Sequence, residues 1–148
     1  MHYHFRVHDD SDGLWAECVE LKGCFSCNDT SKGQTTIDVL KANCEEALEC
    51  YLYTDEKDEK RQIPMPNTVL DKKSDLLQIQ VEPKTTFSLL MRYYRTQAKL
   101  TQAKAAKLLG MKNLYSYQRL ERKANPTLST MQKIKDVFPD IPLEQVFN

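Results

Sequence analysis

Long apolar runs are missing from this 148-residue chain: its tightest apolar cluster is Leu89-Leu90-Met91, far short of the roughly 18 residues that span a bilayer. Glycine is scarce, at four residues, which excludes a collagen-like repeat. The opening stretch MHYHFRVHDD alternates polar and apolar residues and carries acids early. It does not have the basic-then-apolar build of a secretory signal, so a cytoplasmic protein without a membrane anchor is expected. Net charge is absent too, with 21 Lys+Arg against 21 Asp+Glu. What is present, 41% hydrophobic and 28% charged residues, is the composition of an ordinary globular protein. The length suits one medium domain or two small ones.

The zero net charge conceals a division. Met1 to Pro83 holds 9 Lys+Arg and 17 Asp+Glu, a net of −8, whereas 84–148 holds 12 and 4, a net of +8. Two modules with different partners are implied, one over 1–83 and one over 84–148. The basic module carries an electrostatic footprint for nucleic acid. The acidic module repels nucleic acid and suits a basic protein.

The five cysteines (Cys18, Cys24, Cys27, Cys44 and Cys50) are an odd number without a secretory signal, which points to reduced thiols. Cys24 and Cys27 form a CxxC. A structural zinc site needs four ligands, and the chain has no second such pair. His2, His4, His8 and Cys18 show no spacing that demands a metal. The residues after Cys27 are turn-rich, where a thioredoxin-like motif would open a helix. No metal and no cofactor is expected. On a strand His2, His4 and His8 share one face opposite Tyr3, Phe5 and Val7, giving a half-buried strand with a polar outer face. Asp9-Asp10-Ser11-Asp12-Gly13 reads as a hairpin turn. The carboxylates are not grouped as two-metal chemistry requires, so no enzyme is expected.

Alternation marks strands over Tyr3–Val7 and Leu14–Leu21, with a short third strand over Cys24–Asn28. Thr35 and Asp38 form a capping-box-like start to a helix with an apolar stripe of Leu40, Cys44, Ala47, Leu48, Tyr51 and Leu52. Asp38, Glu45, Glu46 and Glu49 occupy its other face. Asp55 to Arg61 reads as a solvated loop, Ile63-Pro64-Met65-Pro66 as extended, and Leu77–Val81 as a fourth strand. The result is a small sheet with one helix packed on it. Gly13-Leu14-Trp15-Ala16 leading to Leu21-x-Gly23-Cys24, Asn43-x-x-Glu46-Ala47-Leu48 and Ile63-Pro64-x-Pro66 together resemble the HicB antitoxin domain, whose fold is a trimmed ribonuclease H-like sheet.

In the basic half, Phe87, Leu90, Met91 and Tyr94 share a helical face, with Arg92 and Arg95 elsewhere. A second helix, capped by Thr101 and ended by a left-handed Gly110, carries Ala105, Leu108 and Leu109 inward. A third turns Leu114, Tyr117 and Leu120 inward, leaving Tyr115, Ser116, Gln118, Arg119 and Arg122 outward. A fourth begins at Pro126-Thr127 with Leu128, Met131, Ile134 and Val137 inward, and Leu143, Val146 and Phe147 close the chain as core or as a dimer interface. Two short helices around a glycine turn match the helix-turn-helix plan. Gln118 and Arg119 suit base edges, Lys112 a phosphate, and Gln102 a phosphate at a helix N-terminus. Glu121 is expected to hold a nearby arginine or backbone amide.

Leu100-Thr101-Gln102, Ala106-x-x-Leu109-Gly110, Leu120-Glu121-Arg122 and Asn125-Pro126-Thr127-Leu128 resemble the Xre/Cro-type helix-turn-helix family. Gly110 to Glu121 is one residue longer than the family's usual interval, which leaves Asn113, Tyr115 and Ser116 as alternative base readers. The whole is thus expected to be α+β, with a small sheet and one packed helix followed by an all-α helix-turn-helix domain. The combined resemblance implies an antitoxin that neutralises a small HicA-like ribonuclease, with Asp38, Glu45, Glu46 and Glu49 at the toxin face. It also implies repression of its own operon by operator double-stranded DNA, as a homodimer or tetramer. The alternative is a stand-alone repressor with a ligand- or metal-sensing N-terminal domain.

Overall fold

The computed structural model describes residues 1–26, 36–53, 58–122 and 124–147. The chain forms two compact units, Met1–Leu52 with Pro64–Val81 and Tyr53–Ile63 with Glu82–Asn148. The later break lies two residues from the expected 83/84 boundary, and the segment 53–63 joins the helical unit. The expected Cys27 partner of Cys24, the Thr35 cap and residues 55–57 of the acidic run lie outside the described residues.

In the first unit, alternation becomes strand β1 (His2–Asp10), flanked antiparallel by β2 (Gly13–Cys18) and β3 (Leu76–Gln80) in the order β2-β1-β3. Val7 faces Ala16 across one ladder and Tyr3 faces Ile79 across the other. The hairpin turn forms as expected. Gly13 takes φ +107°, a conformation that only glycine adopts without strain. The Asp10 carboxylate accepts from Asp12 N at 3.0 Å and from Trp15 Nε1 at 2.8 Å. Helix α1 (Ile37–Leu52) packs on the sheet, and its stripe of Leu40, Cys44, Leu48 and Leu52 joins Tyr3, Phe5, Ala16 and Ile79 in the core. Thr36 stands at its start, with Oγ1 accepting from Val39 N at 3.4 Å.

Two expectations change here. Of the expected third strand over Cys24–Asn28, the described residues show one bridge, between Glu17 and Phe25. The Ser26 hydroxyl accepts from Ala16 N at 2.8 Å, so a side chain replaces what a ladder carbonyl would supply. The polar outer face of β1 is also not open along its length, because His4 is fully buried. Glu20, just past β2, and Asp71, on a 3-10 turn at Thr68–Lys72, bond its two ring nitrogens and cover it.

The second unit is helical: α2 (Pro83–Gln97), α3 (Gln102–Leu108), α4 (Leu114–Leu120) and α5 (Leu128–Val137), then a 3-10 turn at Leu143–Val146. Its boundaries follow side-chain chemistry. Pro83 opens α2, where its missing N–H costs nothing. Thr101, Asn113 and Thr127 each cap the next helix by accepting a backbone N–H, at 3.2, 2.8 and 3.2 Å. Phe87, Leu90, Met91, Ala105, Leu109, Tyr117, Leu120, Ile134, Phe138 and Ile141 make the core. Leu108, Leu114 and Leu128, expected inward, are exposed, with Leu128 85% so. Helices α3 and α4 span only about two turns each, too few for leucine spacing to settle which side faces the core.

Candidate nucleic-acid interface

Turning α3 against α4 depends on Gly110, whose φ of +65° reverses the chain after Leu109. Behind the turn lies a buried polar network centred on Glu121, which is 1% exposed. The Arg95 guanidinium forms a two-pronged ion pair with it, Nε to Oε1 and Nη2 to Oε2, the latter at 3.1 Å. Gln102 Nε2 donates to Oε2 at 2.9 Å and Tyr117 Oη donates to Oε1 at 2.8 Å. Burial, followed by the Glu121 charge, pushes the Tyr117 hydroxyl above its ordinary range, so it remains a donor. The expected role of Glu121 as an internal partner is what the structure places there.

Sequence reasoning missed what surrounds this carboxylate. Arg92 and Arg95, expected away from the core, are 3% and 2% exposed. Arg95 also donates to the carbonyls of Leu100 and Glu59, each at 2.9 Å, and Arg92 donates to the Asp58 carbonyl at 2.7 Å. Part of the supposed solvated loop is thus a docked strap, although Asp58 and Lys60 remain exposed. A signal existed: Phe87, Met91 and Arg95 follow i, i+4, i+8 spacing, so helical periodicity alone puts Arg95 on the apolar stripe.

The outward side of the motif carries most of the expected contact residues. Lys112, Asn113, Tyr115 and Arg119 are exposed, and Ser116, Gln118 and Arg122 are partly so. Asn113 spends its side-chain oxygen on the N–H and hydroxyl of Ser116. The Arg122 guanidinium stands 5.4 Å over the Tyr115 ring, within cation–π range. Gln118 Nε2 reaches Gln102 Oε1 at 3.3 Å. Gln102 itself is 4% exposed, with its amide turned inward to Glu121 and Gln118. Gln102 was expected to meet a phosphate; its side chain is turned inward, and its backbone N–H donates to the Glu59 carboxylate at 2.7 Å. Lys104 and Lys107 add exposed cations on α3 that the spacing argument had not singled out.

On the sheet unit, Asp38, Glu45 and Glu46 are exposed on α1 and Glu49 is partly so, which gives that helix an acidic outer side. Cys24 lies beside Cys18. The hydrogen bond between the two sulfurs, together with burial, pushes the Cys18 thiol up.

Short helices hinged on a left-handed glycine, the second presenting amides and a cation outward, define a helix-turn-helix unit of the kind that fits a major groove. Residues 91–146 match the helix-turn-helix family model, so the C-terminal part is a helix-turn-helix domain, a module of DNA binding and transcription regulation. No curated protein matches the chain. No helix among the described residues is long and apolar enough to cross a membrane.

Proposed function

We propose that the protein is a non-enzymatic antitoxin and autorepressor. The helix-turn-helix unit binds operator double-stranded DNA through Lys112, Asn113, Tyr115, Ser116, Gln118, Arg119 and Arg122. The sheet unit binds and masks a small basic ribonuclease of the HicA type. The observation that carries this reading is the pairing of a DNA-binding domain with a separate unit whose one long helix turns Asp38, Glu45 and Glu46 to solvent. Such an acidic surface speeds and orients encounter with a cationic, RNA-binding partner. A dimer on two half-sites about 34–36 Å apart fits the same reading. Leu128 and Phe147, 85% and 75% exposed, border a groove floored by Phe87 and Val146, where apolar area stands ready for a second copy.

The test is recovery of the full chain from its native cells, with identification of whatever co-purifies in stoichiometric amount. A small basic protein encoded beside it supports the antitoxin reading. Operator binding with no protein partner overturns that part and leaves a stand-alone repressor.

A further inference from the structure

We propose that His2, His4 and Asp71 form a binding site for a divalent cation of the zinc class on the sheet unit. The alternation of β1 sets His2 and His4 on one face, and the 3-10 turn at Thr68–Lys72, capped by Asn67, carries Asp71 to them. Nε2 of His2 and Nε2 of His4 each lie 3.0 Å from Asp71 Oδ1, and the three atoms fall within 4.8 Å of one another. Ligands on a tetrahedral zinc, bonded at about 2.0–2.2 Å, stand about 3.4 Å apart. Opening each 3.0 Å contact by about 0.4 Å, and drawing the two imidazole nitrogens together by up to about 1.4 Å, closes these three around an ion.

The second ring nitrogen of His4 strengthens the case. Its Nδ1 lies 2.6 Å from Glu20 Oε1, and Glu20 is itself held by the N–H groups of His4 and Asn67. With Nδ1–H donating to Glu20, Nε2 presents a lone pair to the Asp71 carboxylate, and two acceptors face each other at 3.0 Å. Either an added proton or a cation must lie between them. A carboxylate on the far nitrogen is the usual support of a metal-binding histidine, since it fixes both tautomer and ring orientation. The His4 side chain is 1% exposed, whereas those of His2 and Asp71 are 31% and 38% exposed. Three ligands thus leave an open side for entry and for a water as the fourth. Two imidazoles and one carboxylate favour zinc, cobalt, nickel or copper over magnesium or calcium, which prefer all-oxygen shells. This site does not depend on the toxin-binding reading, because it uses none of the acidic residues of α1.

The experiment is calorimetric titration of the full chain, stripped with EDTA, with zinc chloride, paralleled by cobalt absorption spectra. One saturable equivalent is expected, with a cobalt spectrum free of thiolate charge-transfer bands. Binding should be lost in His2→Ala and in Asp71→Asn, both at partly exposed positions, and kept in His8→Ala. Should either variant fail to fold, ring NMR signals of the wild-type chain decide: zinc should move those of His2 and His4 and leave His8 in place. No saturable binding, thiolate bands, binding that survives loss of His2 and Asp71, or unmoved His2 and His4 signals would each overturn the proposal.

Discussion

Replacing Glu121 by Gln takes one negative charge from a place where two arginines depend on it. Glu121, Arg95 and Arg92 are 1%, 2% and 3% exposed. The Arg95 pair is two-pronged, and Arg92 Nε lies 3.8 Å from the same carboxylate. Gln keeps the shape but offers a single acceptor oxygen, while Arg95, Gln102 and Tyr117 all donate here. Each carboxylate oxygen accepts two donors, so two of them are left facing an NH2 group, and the arginine charges lose their counter-ion. Removing one partner of a buried ion pair costs about 3–5 kcal/mol. Against a domain stability of ~5–15 kcal/mol, that is a large share. At about 4–8 °C per kcal/mol for a unit of this size, the helical unit should melt roughly 12 °C or more lower. Thermal unfolding by circular dichroism reads this directly. A double-mutant cycle with Arg95→Met should show a coupling of about 0.5–3 kcal/mol. A loss below ~1 kcal/mol for Glu121→Gln would mean that water shares the pair as it does at a surface, and the reasoning would fail.

Four further outcomes are expected. Lys99 holds φ +55° without being glycine, so Lys99→Gly should stabilise by about 1 kcal/mol, whereas Gly110→Ala at φ +65° should cost about the same; denaturant midpoints measure both. Arg119→Ala should weaken cognate operator binding by about 1–3 kcal/mol and relax specificity, while Lys112→Ala should weaken all DNA and lower the salt slope by about 1. Equal effects of the two on random and cognate duplexes would remove the base-reading role of Arg119. Reversing Glu45 and Glu46 to Lys should slow association with the proposed HicA-like partner and flatten its salt dependence; unchanged kinetics would overturn the proposed role of these residues. Among Cys18, Cys24, Cys44 and Cys50, the exposed Cys50 should react first with a thiol reagent at pH 8. Cys44, pushed up to about 11 by burial, should lag until the pH is far higher, as mass spectrometry of alkylated peptides would show.

Much of the scaffold was readable from local chemistry. The β1–β2 hairpin, the buried stripe of α1, the Thr101 cap, the helix start at Thr127 and the Gly110 turn depend on neighbours a few residues away, which the order of residues displays. His4, Arg92 and Arg95 were misread for the opposite reason. Each is a polar residue made buriable by a partner distant in sequence, such as Asp71, Glu121 or the Glu59 carbonyl. Periodicity registers a polar side chain but not the group that will satisfy it. Gln102 belongs with them, since its inward turn depends on Glu121 and Gln118. Leu108 and Leu114 were misread because a two-turn helix carries too few apolar positions to reveal its phase, and Leu128 because it stands at the first position of α5.

The strap at Asp58 and Glu59 bears on how the chain can be divided. Because 53–63 belongs with the helical unit while Pro64–Val81 returns to the sheet, the polypeptide passes from one unit to the other three times. A fragment cut at Val81/Glu82 would therefore carry Arg92 and Arg95 without the Asp58 and Glu59 carbonyls they hold. It would also expose the α3 amide that Glu59 accepts from. The two halves are modular in charge and in fold, yet neither is a cassette that one crossover in the gene could exchange. During synthesis the sheet cannot gain β3 until the strap has already emerged, so the first unit to begin is not sealed before the second has part of its chain in hand.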